Sequence, residues 1–225
     1  MNFLYQLAPN LEVLQEELLE CIGETLQMLL VSGTVAFVLG LLLGILLTVT
    51  KRGGILQNAC IYRFFDAAID IIRSIPFLIL MVLLIPASRA LLGTASGVTG
   101  SYVALVAGTV PFFARQIESV LADLDHGLIE ASEAMGFSPL EIIFHVYLKE
   151  SVPGITRVTM ITFVSLIGIT AMAGAIGAGG LGDFAIRYGY QMHYTDMIWA
   201  TVLMILLIIS IIQLVGNFII RHTTH

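Results

Sequence analysis

The side chains best suited to chemistry sit in "DAAIDIIRSIPF", where Asp66, Asp70 and Arg73 fall at i, i+4 and i+7 and share one helix face. Their neighbours are apolar enough to lie in a membrane, where a buried charge costs about 3 kcal/mol, so such groups are functional candidates by default. Two uses stay open: a working charge in the membrane, or an Asp70 and Arg73 pair near the cytoplasmic interface. Asp66, Asp70, Glu118 and His145 form no recognisable acid–base set along the chain. No catalytic residue is assigned.

Cofactor motifs are few. Gly177, Gly179 and Gly182 satisfy G-x-G-x-x-G. A dinucleotide fingerprint needs a strand before it, a helix after it and an acidic residue about twenty positions on, whereas an apolar span precedes this one. With Gly180, these glycines are read as structural, letting the backbone turn sharply and helices pack closely as the chain leaves the membrane. The only lysines are Lys51 and Lys149, and no G-x-x-x-x-G-K-[ST] exists. ATP therefore cannot be held here by a P-loop, and any such energy must come from another subunit. His126, His145, His193, His222 and His225 make no H-E-x-x-H, and His222 and His225 at i, i+3 read as a tail. No metal site is expected. Cys21 and Cys60 lie far apart with no CxxC partner and read as packing residues.

The elements that must position these groups follow from composition. Apolar residues make up 58% of the chain and charged residues 12%, about half the usual globular share. That much apolar surface requires lipid. The chain reads as an all-α polytopic membrane protein with five transmembrane helices, at about 25–50, 61–86, 102–120, 155–178 and 197–220, each long enough for a hydrocarbon core of roughly 30 Å. Gly40 and Gly44 give the first span a GxxxG spacing for close helix approach. Pro76 should kink the second, and Gly108 and Pro111 interrupt the third, which Arg115 and Glu118 end. Trp199 stands where an interfacial aromatic is expected.

Residues 1–24 are acidic, with Leu11, Leu14, Leu18 and Ile22 at helical spacing among glutamates, and predict an amphipathic helix on the outer face. Lys51, Arg52, Arg63, Arg115, Lys149, Arg157 and Arg221 then fall on one side and Arg89 and Arg187 on the other, with Arg73 ambiguous. The positive-inside rule places the N-terminus outside and the tail, 221–225, in the cytoplasm.

Between the third and fourth spans, 127–154 is a charge-bearing hairpin of two short helices. Leu128, Ala131 and Met135 mark one apolar face, opposite Glu130 and Glu133, and Gly136 ends the first helix. Ser138, Pro139 and Glu141 restart the chain with an N-cap, an N1 proline and a capping-box carboxylate. Leu140, Ile143, Phe144, Tyr147 and Leu148 form the second apolar face. Such a hairpin is either an ordinary interfacial loop or a shape for a partner to grip.

Its residues carry a resemblance. Glu130-Ala131-Ser132, three residues, Gly136, nine residues, then Val146-Tyr147-Leu148 resembles the "EAA" cytoplasmic loop of ABC-transporter permeases. Ser132 stands where that family usually has Ala, and Lys149 where it usually has Pro, so Pro153 and Gly154 are left to set the helix end. Arg73-Ser74-Ile75-Pro76-Phe77 is similar to a segment of amino-acid permeases. Ala171-Met172, the Gly174–Gly182 run and Tyr188-Gly189-Tyr190 resemble the permeases of methionine importers.

The resemblance implies a homodimer around a translocation pathway for methionine, L- and D-, in the cytoplasmic membrane. It implies two copies of an ABC ATPase that use ATP and Mg, an extracytoplasmic methionine-binding protein and surrounding lipid, with no nucleic acid. It also implies Glu130, Ala131, Ser132, Gly136, Val146 and Leu148 as ATPase-coupling residues, and Met172 as a gate residue. A lone Met on a span is equally a lipid-facing filler. A permease for another amino acid or a short peptide would share every motif except the glycine-rich one. A membrane enzyme lacks a clustered acid–base set, and a self-powered carrier would favour internal repeats that the chain does not display.

Overall fold

The structure, a computed structural model, describes residues 10–223, with the backbone alone at Leu11. Residues 1–9 of the acidic segment, the Leu11 side chain and residues 224–225 of the tail, His225 included, lie outside the described residues. No strand occurs among the described residues.

The acidic segment and the first span form one 40-residue helix, α1 (Leu11–Thr50). It holds no proline, and its glycines, Gly23, Gly33, Gly40 and Gly44, are isolated and each cost about 1 kcal/mol at most in a helix interior. That is too little to break a helix packed along its length. Asn10 precedes it, donating from its backbone and its amide to the Asp196 carboxylate at 3.1 and 3.0 Å.

The second expected span, 61–86, is not one helix. Asn58 caps α2 (Ala59–Ser74), its side-chain oxygen accepting from the Cys60 and Ile61 N–H groups at 3.1 and 3.2 Å. A proline disfavours the helical region for the residue before it, and Ile75 is extended at φ −84°, ψ 122°. Pro76 therefore breaks the helix instead of bending it. The chain continues as α3 (Phe77–Leu83) and α4 (Ile85–Leu92). Proline is tolerated differently in α5 (Gly97–Ala122), which runs unbroken through Gly108 and Pro111. There the ring lacks only one N–H, and packing keeps the helix continuous.

The hairpin comprises α6 (His126–Ala134) and α7 (Pro139–Ile142), the latter widening into a π-helical turn, Ile143–Leu148. Next come α8 (Val152–Ala173) with a π turn, Gly174–Ala178, and α9 (Gly180–Phe184) with another, Ala185–Gln191. The chain ends in α10 (Thr195–Thr223). Among the described residues, four helices are long and apolar enough to cross a membrane: Glu12–Thr50, Gly97–Ala122, Val152–Ala178 and Thr195–Thr223. On α10, Trp199, Leu203, Leu207, Leu214 and Phe218 are exposed, a surface suited to lipid.

The chain divides into two compact units. The first takes the chain up to Thr34, Pro76–Val106 and Phe163–Ile212, and its core gathers Leu18, Met28, Leu105, Leu166, Phe184 and Met197. The second takes Val35–Ile75, Ala107–Thr162 and the chain from Gln213 onward. Its core joins Phe113, Ile117 and Leu121 of α5 to Ile129, Ile142 and Tyr147 of the hairpin. Leu47, Ile69 and Ala114 form a smaller cluster beside it. The GxxxG pair of α1 works as expected here: a Cβ on Gly40 would meet Phe113, and one on Gly44 would meet Ile117.

Candidate functional site

The hairpin reverses at Gly136, whose φ of +84° is a left-handed conformation that side chains rarely adopt. The Gly136 and Phe137 N–H groups donate back to Glu133 and Ser132 carbonyls at 2.9 and 3.1 Å, closing α6. Asp125 caps its start by accepting from the Gly127 N–H at 2.9 Å. The expected capping box opens α7: Ser138 Oγ accepts from the Glu141 N–H, and Glu141 Oε2 accepts from the Ser138 N–H at 2.7 Å. The Ser138 side chain and then its backbone hold the Glu141 carboxyl below its usual range. A depressed carboxyl stabilises the fold above its unfolded value and loses that contribution as pH falls through the folded one. Ser138→Ala should therefore speed hydrogen exchange at the Leu140–Ile143 amides several-fold near neutral pH, and the difference from the unaltered chain should narrow in acid to what the non-titrating Glu141 N–H to Ser138 Oγ bond contributes.

Which hairpin faces are covered differs from the expectation. On α6, Ile129 and Ser132 are buried, while Leu128, Ala131 and Met135 are exposed. The second apolar face is split, because Ile143 and Tyr147 turn inward with Ile142 and Val146 while Leu140 and Phe144 point out at 66% and 62% exposure. Within the π turn, i→i+5 bonding shifts the register that a 3.6-residue period assumes and brings Tyr147 onto the side of Ile143, whereas Leu140 precedes that turn and lies on the outer side of α7. Of the expected coupling residues, Glu130, Ala131 and Gly136 are exposed. Ser132 and Val146 are buried and Leu148 half-buried, and the Ser132 hydroxyl donates to the Leu128 carbonyl at 2.7 Å.

The charges of the second expected span meet a partner that sequence spacing does not indicate. Arg115 on α5 donates from Nη2 to Asp70 Oδ1 at 2.7 Å and lies 2.8 Å from Asp66 Oδ1. Its Nη1 donates to Glu118 Oε2 at 2.8 Å, and Glu118 Oε1 accepts from the Tyr62 hydroxyl at 3.3 Å. The Asp70 and Arg73 pair exists only at 3.9 Å. Three of the four acid–base candidates, Asp66, Asp70 and Glu118, thus do converge, around a guanidinium.

The glycine-rich stretch is a chain reversal between α8 and α9. Gly177, Gly179 and Gly180 all have positive φ, and Gly182 backs directly onto the Ala171 backbone. Residues from α1 hold this turn: Glu24 Oε2 accepts from the Gly180 N–H at 2.6 Å, and Thr25 Oγ1 accepts from the Leu181 N–H at 2.8 Å. Arg187 binds Glu17 at 3.0 Å and Asp183 at 2.6 Å. Glu17, Glu24 and Thr25 had no sequence signal beyond an acidic helix face. Met172 borders an apolar cavity of about 350 Å³ with Ala175, Leu181, Ala185, Ile198 and Thr201. Its side chain is exposed.

The chain is 43% identical over 208 residues, 92% of each chain, to a probable D-methionine transport system permease protein, MetI, of Vibrio cholerae. It is 43% identical over 174 residues, 77% of this chain and 78% of the other, to the methionine import system permease protein MetP of Bacillus subtilis. A solved structure of the MetNI methionine ABC transporter in inward-facing conformations superposes with a TM-score of 0.92 at 41% identity, covering 95% of this chain and 99% of that one. Residues 36–224 match the family model for the inner membrane component of binding-protein-dependent transport systems, and the chain belongs to that family.

Proposed function

We propose that this chain is the permease subunit of an ATP-driven importer that carries methionine across the cytoplasmic membrane. The observation that carries the reading is the hairpin's exposed apolar face. Leu128, Met135, Leu140 and Phe144 stand in solvent beside Glu130, Ala131 and Gly136, on a hairpin whose other face is packed in the unit's own core. An exposed apolar surface rimmed by charge marks a protein partner. A separate ABC ATPase, using ATP and Mg, is the partner that fits a chain with no P-loop of its own. Two copies of the chain pair around the pathway, two ATPases grip the hairpins, and ATP-driven closure of the ATPases moves them.

Methionine is supported by the named relatives and by the glycine-rich run. An extracytoplasmic binding protein delivers it, and Met172, exposed on the α8 cavity, contacts the pathway. The chain crosses the membrane five times, 61–86 making the second crossing. Lys51, Arg52, Arg63, Arg115, Lys149, Arg157 and Arg221 on one side, against Arg89 and Arg187 on the other, support an N-terminus outside.

The substrate is tested in cells devoid of other methionine uptake that express this chain with its ATPase and binding protein. Labelled L-methionine should accumulate, and excess unlabelled L- or D-methionine should suppress it while other amino acids and short peptides do not. Suppression by a different amino acid or a peptide, with methionine inert, would overturn the assignment.

A further inference from the structure

We propose that Arg115 is a positioning residue of the transport cycle, carrying the movement of the hairpin into helix α2. This rests on the hairpin being the part of the chain that the ATPase moves. The part of α5 from Ala107 onward faces two ways within its unit. Phe113, Ile117 and Leu121 pack with Ile129, Ile142 and Tyr147 of the hairpin, so this end of α5 follows the hairpin as one apolar body. Arg115 and Glu118, from the same turns, reach α2.

Helix α2 needs that tie. Ile69 is its one buried residue, touching the small Leu47 and Ala114 cluster with Tyr62 and Phe65 half-buried beside it. Its C-terminal end stops at an extended Ile75, so no helical backbone passes the load onward. Three polar contacts between the helices do the rest, Asp66 and Asp70 on Arg115 and Tyr62 on Glu118, while Glu118 holds Arg115 from within α5. The planar guanidinium meets carboxylates from two helices, which fixes α2 in rotation as well as position. Side chains in the network are 11% to 59% exposed, and ion pairs that wet contribute little to stability. Its effect is directional. Asp66 and Asp70, singled out by their common helix face, are therefore the α2 half of a mechanical joint, and Arg73 at 3.9 Å is peripheral to it.

The test uses the assembled importer, with Cys21→Ser and Cys60→Ser removing the two native thiols. Environment-sensitive labels go on Glu133→Cys in the hairpin and Ile71→Cys on α2, both exposed positions. Adding ATP with vanadate should change both signals in the otherwise unaltered chain. With Arg115→Met the hairpin signal should persist, while the α2 signal falls at least about fivefold and methionine uptake per ATP hydrolysed falls at least about tenfold. Arg115→Lys should restore part of both. Should Arg115→Met fail to assemble, Asp66→Asn with Asp70→Asn removes the same joint from the α2 side and should behave alike. An α2 response and a coupling ratio that survive both sets of changes would overturn the proposal. If both labels respond to ATP in the unaltered chain but no methionine enters, the substrate assignment fails while the joint is still judged by its label signals. If neither label responds, the coupling role of the hairpin and the joint fall together.

Discussion

Gly182→Ala is expected to leave little folded protein to purify, whereas Gly168→Ala, on the same glycine-rich side of the chain, should be harmless. A Cβ at position 182 would press on the Ala171 carbonyl oxygen and sit 2.6 Å from the Ala171 Cα. Both are backbone atoms of α8, so no rotamer change relieves the clash. Gly174 makes the reciprocal approach, its missing Cβ facing the Gly179 carbonyl oxygen at 2.7 Å and the Asp183 N–H. The end of α8 and the start of α9 are thus packed backbone to backbone. Overpacking typically costs about 1–3 kcal/mol, and a shift here would also pull Gly180 and Leu181 off Glu24 and Thr25. Gly168 lies within α8 with nothing near its missing Cβ, where alanine stabilises a helix by about 0.5–1 kcal/mol. Yield and thermal midpoint in detergent check the pair. A Gly182→Ala protein as stable as the unaltered chain would contradict the packing described.

The second large effect is on partnership rather than folding. Leu140→Asp with Phe144→Asp should abolish retention of the ATPase through purification while leaving the chain's thermal midpoint nearly unchanged. Both side chains are already in solvent, so charging them removes no packing from the hairpin. Burying each against a partner contributes about 1.5–3 kcal/mol, and losing both weakens binding by at least about a hundredfold at 1.4 kcal/mol per decade. Tyr147→Asp, three residues beyond Phe144 but buried, should do the opposite and destabilise the chain itself. Retained ATPase in the Leu140→Asp, Phe144→Asp protein would remove this face as the docking surface.

What the sequence disclosed was what local chemistry decides. The break at Gly136 and the Ser138–Glu141 capping box depend on residues three or four apart, and both are present. Close approach of another helix at Gly40 and Gly44 was legible for the same reason. The hairpin's faces were not: on α6 burial follows the core it docks against, which takes Ile129 and Ser132 rather than the Leu128–Ala131–Met135 stripe, and at Ile143–Leu148 the π turn changes the period that pattern reading takes as fixed. Pro76 was read as a kink, but whether proline bends or breaks a helix depends on packing around it, and here Ile75 goes extended. The acidic segment was read as a surface helix with no task. Glu24 meets Gly180 across 156 positions and Arg115 meets Asp70 across 45, separations at which spacing carries no information about contact.

Under the proposed function, methionine passes through this chain only when an ATPase grips its hairpin. Proteoliposomes holding the chain and its ATPase, supplied with the binding protein, labelled methionine and ATP on the appropriate sides, test it directly. Saturable uptake should require ATP and disappear in the Leu140→Asp, Phe144→Asp protein reconstituted at the same amount. Methionine entry that is equally fast without ATP, or unaffected by charging the hairpin, would contradict the proposed coupling of transport to the ATPase.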